Sequence, residues 1–399
     1  MAVNNMSRKS NILLMNVLKN HVPKFRKHPV PQNSDIRTMD QIYSTFYKYS
    51  RKLVGAKYDP EVTLEARRPF QSELKVIIPL STDSKERLKM AGADGYVRVG
   101  RILEAVDIVA PCCCYMLNRE DLSTETFETG TLPRMFVTAR FHKTSLNLGH
   151  NINPYRDIIL KGKVTWTGET KAEATVSVVQ NNIEFMTARL LFASLDGNDT
   201  SKKLPINQLK LINGMERYIH EKRQIINTIK PKRIDPESIQ LESPEKGSIT
   251  MASTVVTTEM TCQPEHENPY GSVFGGFLIR QGLETAELCA QRFSKPKPLT
   301  YTRALKVTSI DDAEFLKVIE IGSTLRFSAY VCNVSSNQEF QVCSQVEVYN
   351  ESTHEFELCD RFLFTFETEE DCNLPQVFPQ NMQECVAQWK TKNIGKTEE

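Results

Sequence analysis

A duplicated order of segments limits what this chain can fold into more than any other feature. From Gly100 the sequence reads "GRILEAVDIVAPCCCYML", too long for a strand and apolar almost all round, which predicts a helix buried on most faces. Pro111 either kinks that helix or ends its regular part. Four strand-like runs follow: "RMFVTARFHKTSL", "DIILKGKVTWTG", "KAEATVSVVQ" and "ARLLFASLD", with "TGET" at 167–170 as a hairpin turn between the middle pair. The order returns from Gly275–Gly276, with a helix and then "RALKVTSID", "STLRFSAYVCNV", "FQVCSQVEVY" and "DRFLFTFET". A strand-like run precedes each helix, "SELKVIIPLSTD" in the first case and "SITMASTVVTTEMTC" in the second. A period of about 170 residues is too long for a solenoid repeat. A lone apolar helix followed by a long antiparallel meander has one economical packing, a sheet curled around that helix. The predicted fold class is α+β, with two such units in tandem.

The chain of 399 residues suffices for two ordinary domains and their connections. The units fall at 70–197 and 248–370. Residues 198–247 are polar, charged and broken by Pro205, Pro231, Pro236 and Pro244; they read as a linker with a surface helix around Leu209–Ile229. Residues 371–399 read as a C-terminal tail. Residues 1–34 carry Arg8, Lys9, Lys19, Lys24, Arg26 and Lys27 without an Asp or Glu, the composition of a mitochondrial presequence, the alternative being an untargeted ragged terminus. A net charge of +1 gives no electrostatic case for nucleic-acid binding. No run reaches the roughly 18 to 20 apolar residues of a membrane helix. The ten cysteines form no CxxC pair. Side chains of Cys112, Cys113 and Cys114 diverge by about 100° per residue on a helix, so they read as small packing residues rather than ligands of one metal.

Residues able to carry chemistry gather at the helix starts. In "CQPEHENPYGSVFGGFLIRQGLETAELC", Asn268 and the pair Gly275–Gly276 precede the second helix. A helix N-terminus offers unpaired N–H groups and a positive dipole end, and glycine lets a ligand oxygen approach the backbone. The same glycines equally suit close packing of helix and sheet. Asp107 sits inside the apolar first helix, where a carboxylate has to be paired, protonated or functional. Asn268 either orients a ligand or serves as a turn residue before Pro269. Glu104 and Glu284 either assist a base or sit at a wet helix edge. The repeats have lost complementary features. The first has Arg98–Val99–Gly100 where a glycine pair would stand and no Asn eight residues before Gly100; the second has Leu283 where Asp107 would be. No G-x-S-x-G occurs, which disfavours Ser-His-Asp catalysis.

The stretches "YVRVGRILEAVD" (96–107), "ENPYGSVFGGFLIRQGLETA" (267–286), "SIDDAEFLKVIEIGS" (309–323) and "LPQVFP" (374–379), in that order, resemble the mitochondrial acyl-CoA thioesterase 9 family over roughly residues 70 to 380. The resemblance implies a tandem (double) hotdog fold, each repeat a long antiparallel sheet wrapped around a central helix. It implies hydrolysis of fatty acyl-CoA to free fatty acid and coenzyme A by carboxylate-activated water, with no metal and no nucleotide cofactor. Carried onto this sequence, Asp107 is the base, Asn268 of the other repeat orients the water, and Gly275 and Gly276 polarise the thioester. The pseudo-equivalent site, with Leu283 and no Asn, is expected to be dead. Asp311 and Asp312 match an acidic pair beside the acyl channel. Arg303, Lys306 and Lys317 are candidates for the CoA phosphates, although Val318 replaces the family's Pro beside Lys317. The implied setting is the mitochondrial matrix, the implied partners are acyl-CoA and CoA, and the implied assembly is a homo-oligomer such as a trimer of double-hotdog units. Two alternatives are a non-catalytic acyl-CoA-binding or regulatory protein, and a hotdog hydratase or dehydratase, which needs a His poised near an Asp.

Overall fold

A computed structural model describes residues 36–43, 64–118, 134–147, 152–228, 246–268, 270–294, 305–368 and 373–392. The first repeat opens with strand β1 (Leu74–Ile78), whose alternation buries Leu74, Val76 and Ile78. A short helix α1 (Ser84–Met90) follows, capped by the Asp83 carboxylate accepting from the Lys85 and Glu86 N–H groups. The central helix α2 spans Val99–Leu117 and runs on through Pro111 for a further turn and a half. Of the two outcomes expected for Pro111, an end to the regular helix there is overturned, because tertiary packing holds the turns beyond it. Cys112, Cys113, Cys114, Tyr115 and Leu117 are all fully buried, and that burial offsets the roughly 3 kcal/mol that an interior proline costs. Strands β2 (Arg134–Phe141), β3 (Ile158–Thr167), β4 (Lys171–Gln180) and β5 (Ile183–Asp196) complete the repeat.

The linker carries helix α3 (Gly214–Thr228), which has no buried residue of its own. It is pinned instead by the Trp166 indole N–H, which donates to Gln224 Oε1 at 2.7 Å, and by one buried carboxylate. Arg223 donates twice to Glu173 from Nε at 2.9 Å and once from Nη2 at 2.6 Å, and Asn227 adds a bond at 3.0 Å. Burial pushes the neighbouring His142 imidazole down to about 4, so it stays neutral beside Glu173.

In the second repeat the run expected as one strand over 248–262 is divided. Ile249–Thr250 pairs in parallel with Val377–Phe378, a 3₁₀ turn at Met251–Thr254 is capped by the Thr250 hydroxyl, and strand β6 covers Val256–Thr261. The central helix α4 (Gly275–Ser294) and strands β7 (Leu305–Phe315), β8 (Thr324–Val334), β9 (Glu339–Asn350) and β10 (Glu355–Thr368) follow. Residues 371–399, read from sequence as a tail, hold more than that. Helix α5 (Met382–Lys392) buries Cys385 and Ala387.

Both repeats use one strand order, β1-β3-β4-β5-β2 and β6-β8-β9-β10-β7, every neighbouring pair antiparallel. They join edge to edge through β2 and β7, where Phe141 faces Ala313 and Arg140 faces Glu314. The result is one continuous sheet with a helix held in each half, the tandem hotdog arrangement. The loops before the central helices also match bond for bond. Gly92 N–H donates to Tyr96 O as Asn268 N–H does to Ser272 O, Gly95 N–H to Gly92 O as Gly271 N–H to Asn268 O, and Arg98 N–H to Met90 O as Phe274 N–H to His266 O. Gly95 and Gly271 both need positive φ, at 82° and 85°.

Helices α2 and α4 run in opposite senses past each other near their N-termini. A Cβ built on Gly276 would meet the Glu104 Cα at 2.9 Å, and one on Gly100 would meet the Arg280 Cγ at 2.9 Å. Gly276→Ala therefore has to push back the α2 backbone, whereas Gly100→Ala has only to displace the stem of a side chain. We expect Gly276→Ala to lose about 1–3 kcal/mol by denaturant titration, even after the gain in helix propensity. Gly100→Ala should stay within about 1 kcal/mol of wild type.

Candidate active site

Asp107 lies on α2, and its carboxylate sits against the first turn of the other repeat's helix. The Gly276 N–H donates to it, and a Cβ on Gly275 would stand 3.2 Å from Asp107 Oδ2. Thr138 of β2 donates its hydroxyl to Oδ1 at 3.0 Å. Thr138 reaches this position where the β2–β5 register shifts between Thr138 and Arg140, a bulge beside the site. Burial pushes the Asp107 carboxyl up to about 6. The bonds from Thr138 and Gly276 work against that rise, and the Glu104 charge adds to it.

Asp107 and Asn268 share the wall of one cavity of about 340 Å³. Thr138, Gly275 and Lys317 line it too, together with an apolar part formed by Pro111, Met135, Phe136, Tyr270, Leu278 and Phe315. The Asn268 carbonyl accepts from the Tyr270 and Ser272 N–H groups at 2.8 and 3.1 Å, which leaves its amide nitrogen as the donor it can offer. The first repeat has Gly92 at the matching loop position, and the second has Leu283, fully buried, in the place of Asp107. The two expected glycine roles separate. Gly275 lies on the cavity wall, while the Gly276 N–H is committed to Asp107 and its missing side chain to the helix crossing.

Other candidates are placed elsewhere. Glu104 pairs with Arg101 at 2.8 Å and with Arg280 at 3.1 Å; Glu284 pairs with Arg98, and with Arg280 at 3.5 Å. Glu104 and Arg280 occupy matching turns of the two helices, so opposite charges meet where the helices cross, and neither glutamate lines the Asp107 cavity. Glu104 instead lines an adjoining cavity of about 490 Å³ with Arg101, Arg280 and His266, which shares Asn268 and Phe274 with the first. His266, in the "EHE" stretch, stacks on Phe277 with centroids 3.9 Å apart. Lys317 lies at the cavity but is already paired with Glu357 at 2.9 Å. Lys306 lines neither cavity, and Arg303 lies outside the described residues. Asp311 is buried away from the wall, accepting from Ser309 at 2.7 Å and Thr365 at 2.5 Å; the side chain of Asp312 lies outside the described residues.

Sequence reasoning missed two residues at this site. Thr138 gives no spacing signal, because only strand register brings it to Asp107. Asp360, fully buried, accepts the Leu316 N–H at 3.0 Å and so ties down the loop that carries Lys317, Val318 and Ile319 along the wall. Burial pushes its carboxyl up to about 7.

A raised carboxyl pKa means that the folded protein holds the proton more tightly than the unfolded chain does. Ionised Asp107 therefore costs stability progressively as pH rises from about 4 to about 6, and in full above that. Asp107→Asn keeps the shape but leaves one acceptor oxygen for the two donors, so it should stabilise the fold by less than about 3 kcal/mol at pH 8 and be clearly less favourable at pH 4, read from paired urea titrations. The converse substitution, Leu283→Asp, buries a carboxylate with no matching Asn. It should cost a few kcal/mol in the same titrations and add no activity.

No family model matches this sequence. The chain is 28% identical over 355 residues to acyl-coenzyme A thioesterase 9, mitochondrial, of Mus musculus, a match covering 81% of this chain and 77% of that protein. With the Homo sapiens protein of the same name it shares 27% identity over 357 residues, covering 81% and 76%. Among solved structures, an acyl-CoA hydrolase from Staphylococcus aureus in complex with butyryl coenzyme A, coenzyme A and coenzyme A disulfide matches 38% of this chain and 89% of its own, at 19% identity and a TM-score of 0.34. An acyl-ACP thioesterase from Bacteroides thetaiotaomicron matches 75% and 99%, at 12% identity and a TM-score of 0.39. Along four fifths of its length the chain is thus similar to the mouse and human acyl-coenzyme A thioesterase 9 proteins.

Proposed function

We propose that this protein is an acyl-CoA thioesterase that hydrolyses fatty acyl-CoA to free fatty acid and coenzyme A. The observation that carries the reading is a buried carboxylate, raised to about 6, sharing a cavity wall with Asn268 and Gly275. Such a group is ionised at neutral pH yet basic enough to take a proton from water. Asp107 accepts that proton while the Asn268 amide holds the water in line. The hydroxide attacks the thioester carbon, and the carbonyl oxygen gains charge against the α4 N-terminus at Gly275. Collapse of the tetrahedral intermediate breaks the C–S bond, and the proton on Asp107 passes to the departing thiolate. Thr138 keeps the Asp107 carboxylate in one orientation through the cycle.

Lys317 at the cavity remains the described candidate for a CoA phosphate, once released from Glu357. Among the described residues no histidine lines the Asp107 cavity, which weighs against the hydratase reading. Two further parts of the reading concern setting. The relatives described above are named mitochondrial, and residues 1–34 are basic and acid-free, so we place the protein in mitochondria, in the matrix. We also read the working form as a homo-oligomer of double-hotdog units. Among the described residues no helix is long and apolar enough to cross a membrane.

A panel of acyl-CoAs from two to eighteen carbons, assayed for free CoA with a thiol reagent, tests the activity; no release from any of them would leave the binding-protein alternative. Asp107→Asn should lower kcat by roughly 10²–10⁴-fold in a protein that still folds. Asn268→Ala should lower kcat with little change in KM, and the double variant should be much less impaired than the product of the single effects, because both act on one water. In wild type, kcat/KM should rise with pH through about 6 as Asp107 ionises and then level off.

A further inference from the structure

The apolar part of the cavity has a built end. Asp107, Pro111 and Tyr115 recur at four-residue spacing, so they lie along one stripe of α2. Asp107 and Pro111 are on the cavity wall, and Tyr115 stands beyond them, fully buried. Its hydroxyl meets the hydroxyl of Tyr270, accepts the Phe136 N–H at 3.1 Å, and its ring packs edge-on against the Phe136 ring at 5.0 Å. Tyr270 and Phe136 are themselves wall residues. Tyr115 therefore braces two aromatic side chains that face the cavity, and the bonds among them satisfy polar groups that would otherwise be costly at an apolar channel's end. Tyr270 also belongs to the loop whose backbone is fixed by Asn268, so one loop sets both the water-orienting amide and the position of this wall.

Resting on the thioesterase reading, we propose that the Tyr115–Tyr270 pair is the end wall of the acyl channel and makes the protein selective for medium-length acyl chains. From Asp107 to Tyr115 is eight residues, or about 12 Å of helix at 1.5 Å per residue. The Tyr115 side chain leans back toward the N-terminus of its helix, which shortens the free length. An extended chain advances about 1.25 Å per carbon, a 1.52 Å bond foreshortened by its zigzag, so about six to ten carbons fill the space. A sixteen-carbon chain has to displace the wall.

The test measures kcat/KM for acyl-CoAs of four to eighteen carbons and, in parallel, calorimetric affinity for S-alkyl-CoA thioethers of the same lengths. Wild type should peak at six to ten carbons in both series, affinity rising up to roughly fourfold per added methylene below the peak and falling beyond it. Tyr270→Ala should move the optimum to longer chains and raise the sixteen- to eight-carbon ratio at least tenfold. Tyr270→Trp should move the optimum to shorter ones. Tyr270→Phe, which keeps the ring and removes the hydroxyl contact, should shift less than Tyr270→Ala and keeps the comparison open if the alanine variant unfolds. Wild type that takes sixteen carbons as well as eight, or variants whose length profiles match wild type, would overturn the proposal. If CoA is released from no substrate, the thioesterase reading falls, and the thioether series still reads the wall directly.

Discussion

The rest of the site depends on one placement, the Asp107 carboxylate held against the first turn of α4 in the other repeat. A carboxylate in the interior of a nearly all-apolar helix is costly unless donors meet it. Here the donors are the Thr138 hydroxyl and a backbone N–H at the positive end of a helix. They hold the carboxyl near 6 although burial alone would raise it further. The same geometry requires α4 to approach α2 closely, and that approach requires glycine at 276, where a methyl group would strike the Glu104 backbone. Helix packing and the electrostatics of the candidate base are therefore one constraint.

Duplication supplies this arrangement twice in backbone and once in side chains. The loops at Gly92–Arg98 and Asn268–Phe274 carry the same hydrogen bonds, and the sheets have the same strand order. Side chains then break the symmetry. Leu283 takes the acid's place, Gly92 that of the amide, and Glu104 faces Arg280 where like residues would otherwise repel or leave a void. The Glu104–Arg280 contact joins equivalent positions of the two repeats, which a symmetric dimer of identical repeats could not do, because there like would meet like across the axis. Asp107 and Asn268 hold non-equivalent positions, a pairing that such a dimer would present twice.

The supporting shell is built from loops fixed at both ends. Asn268 uses its carbonyl to close its own loop, Val273 N–H bonds Ile319 O at 2.8 Å, and Asp360 holds the Leu316 N–H, so the two loops lining the cavity brace each other. The linker helix α3 shows the same economy on the outer face, where a helix without buried residues is docked through Arg223 on Glu173.

How far could the sequence be read? Periodicity alone placed both central helices and the long strands, because a helix apolar all round and a run of alternating strands leave few other packings. Asp107 was legible as a lone acid in an apolar helix, and Asn268 and the glycines as a cluster before a helix start. Three things were decided only by tertiary structure. Thr138 becomes a partner of Asp107 through strand register and a bulge, which no local spacing encodes. Gly276 gives its N–H to Asp107 and its missing side chain to Glu104, a division set by how two helices cross. Glu104 and Glu284, candidates on sequence grounds, form ion pairs instead, with Arg101 and Arg280 on their own helices and with Arg280 and Arg98 across the helix crossing. Sequence fixes what each segment can bury; which polar groups then face one another depends on the crossing of elements far apart in the chain.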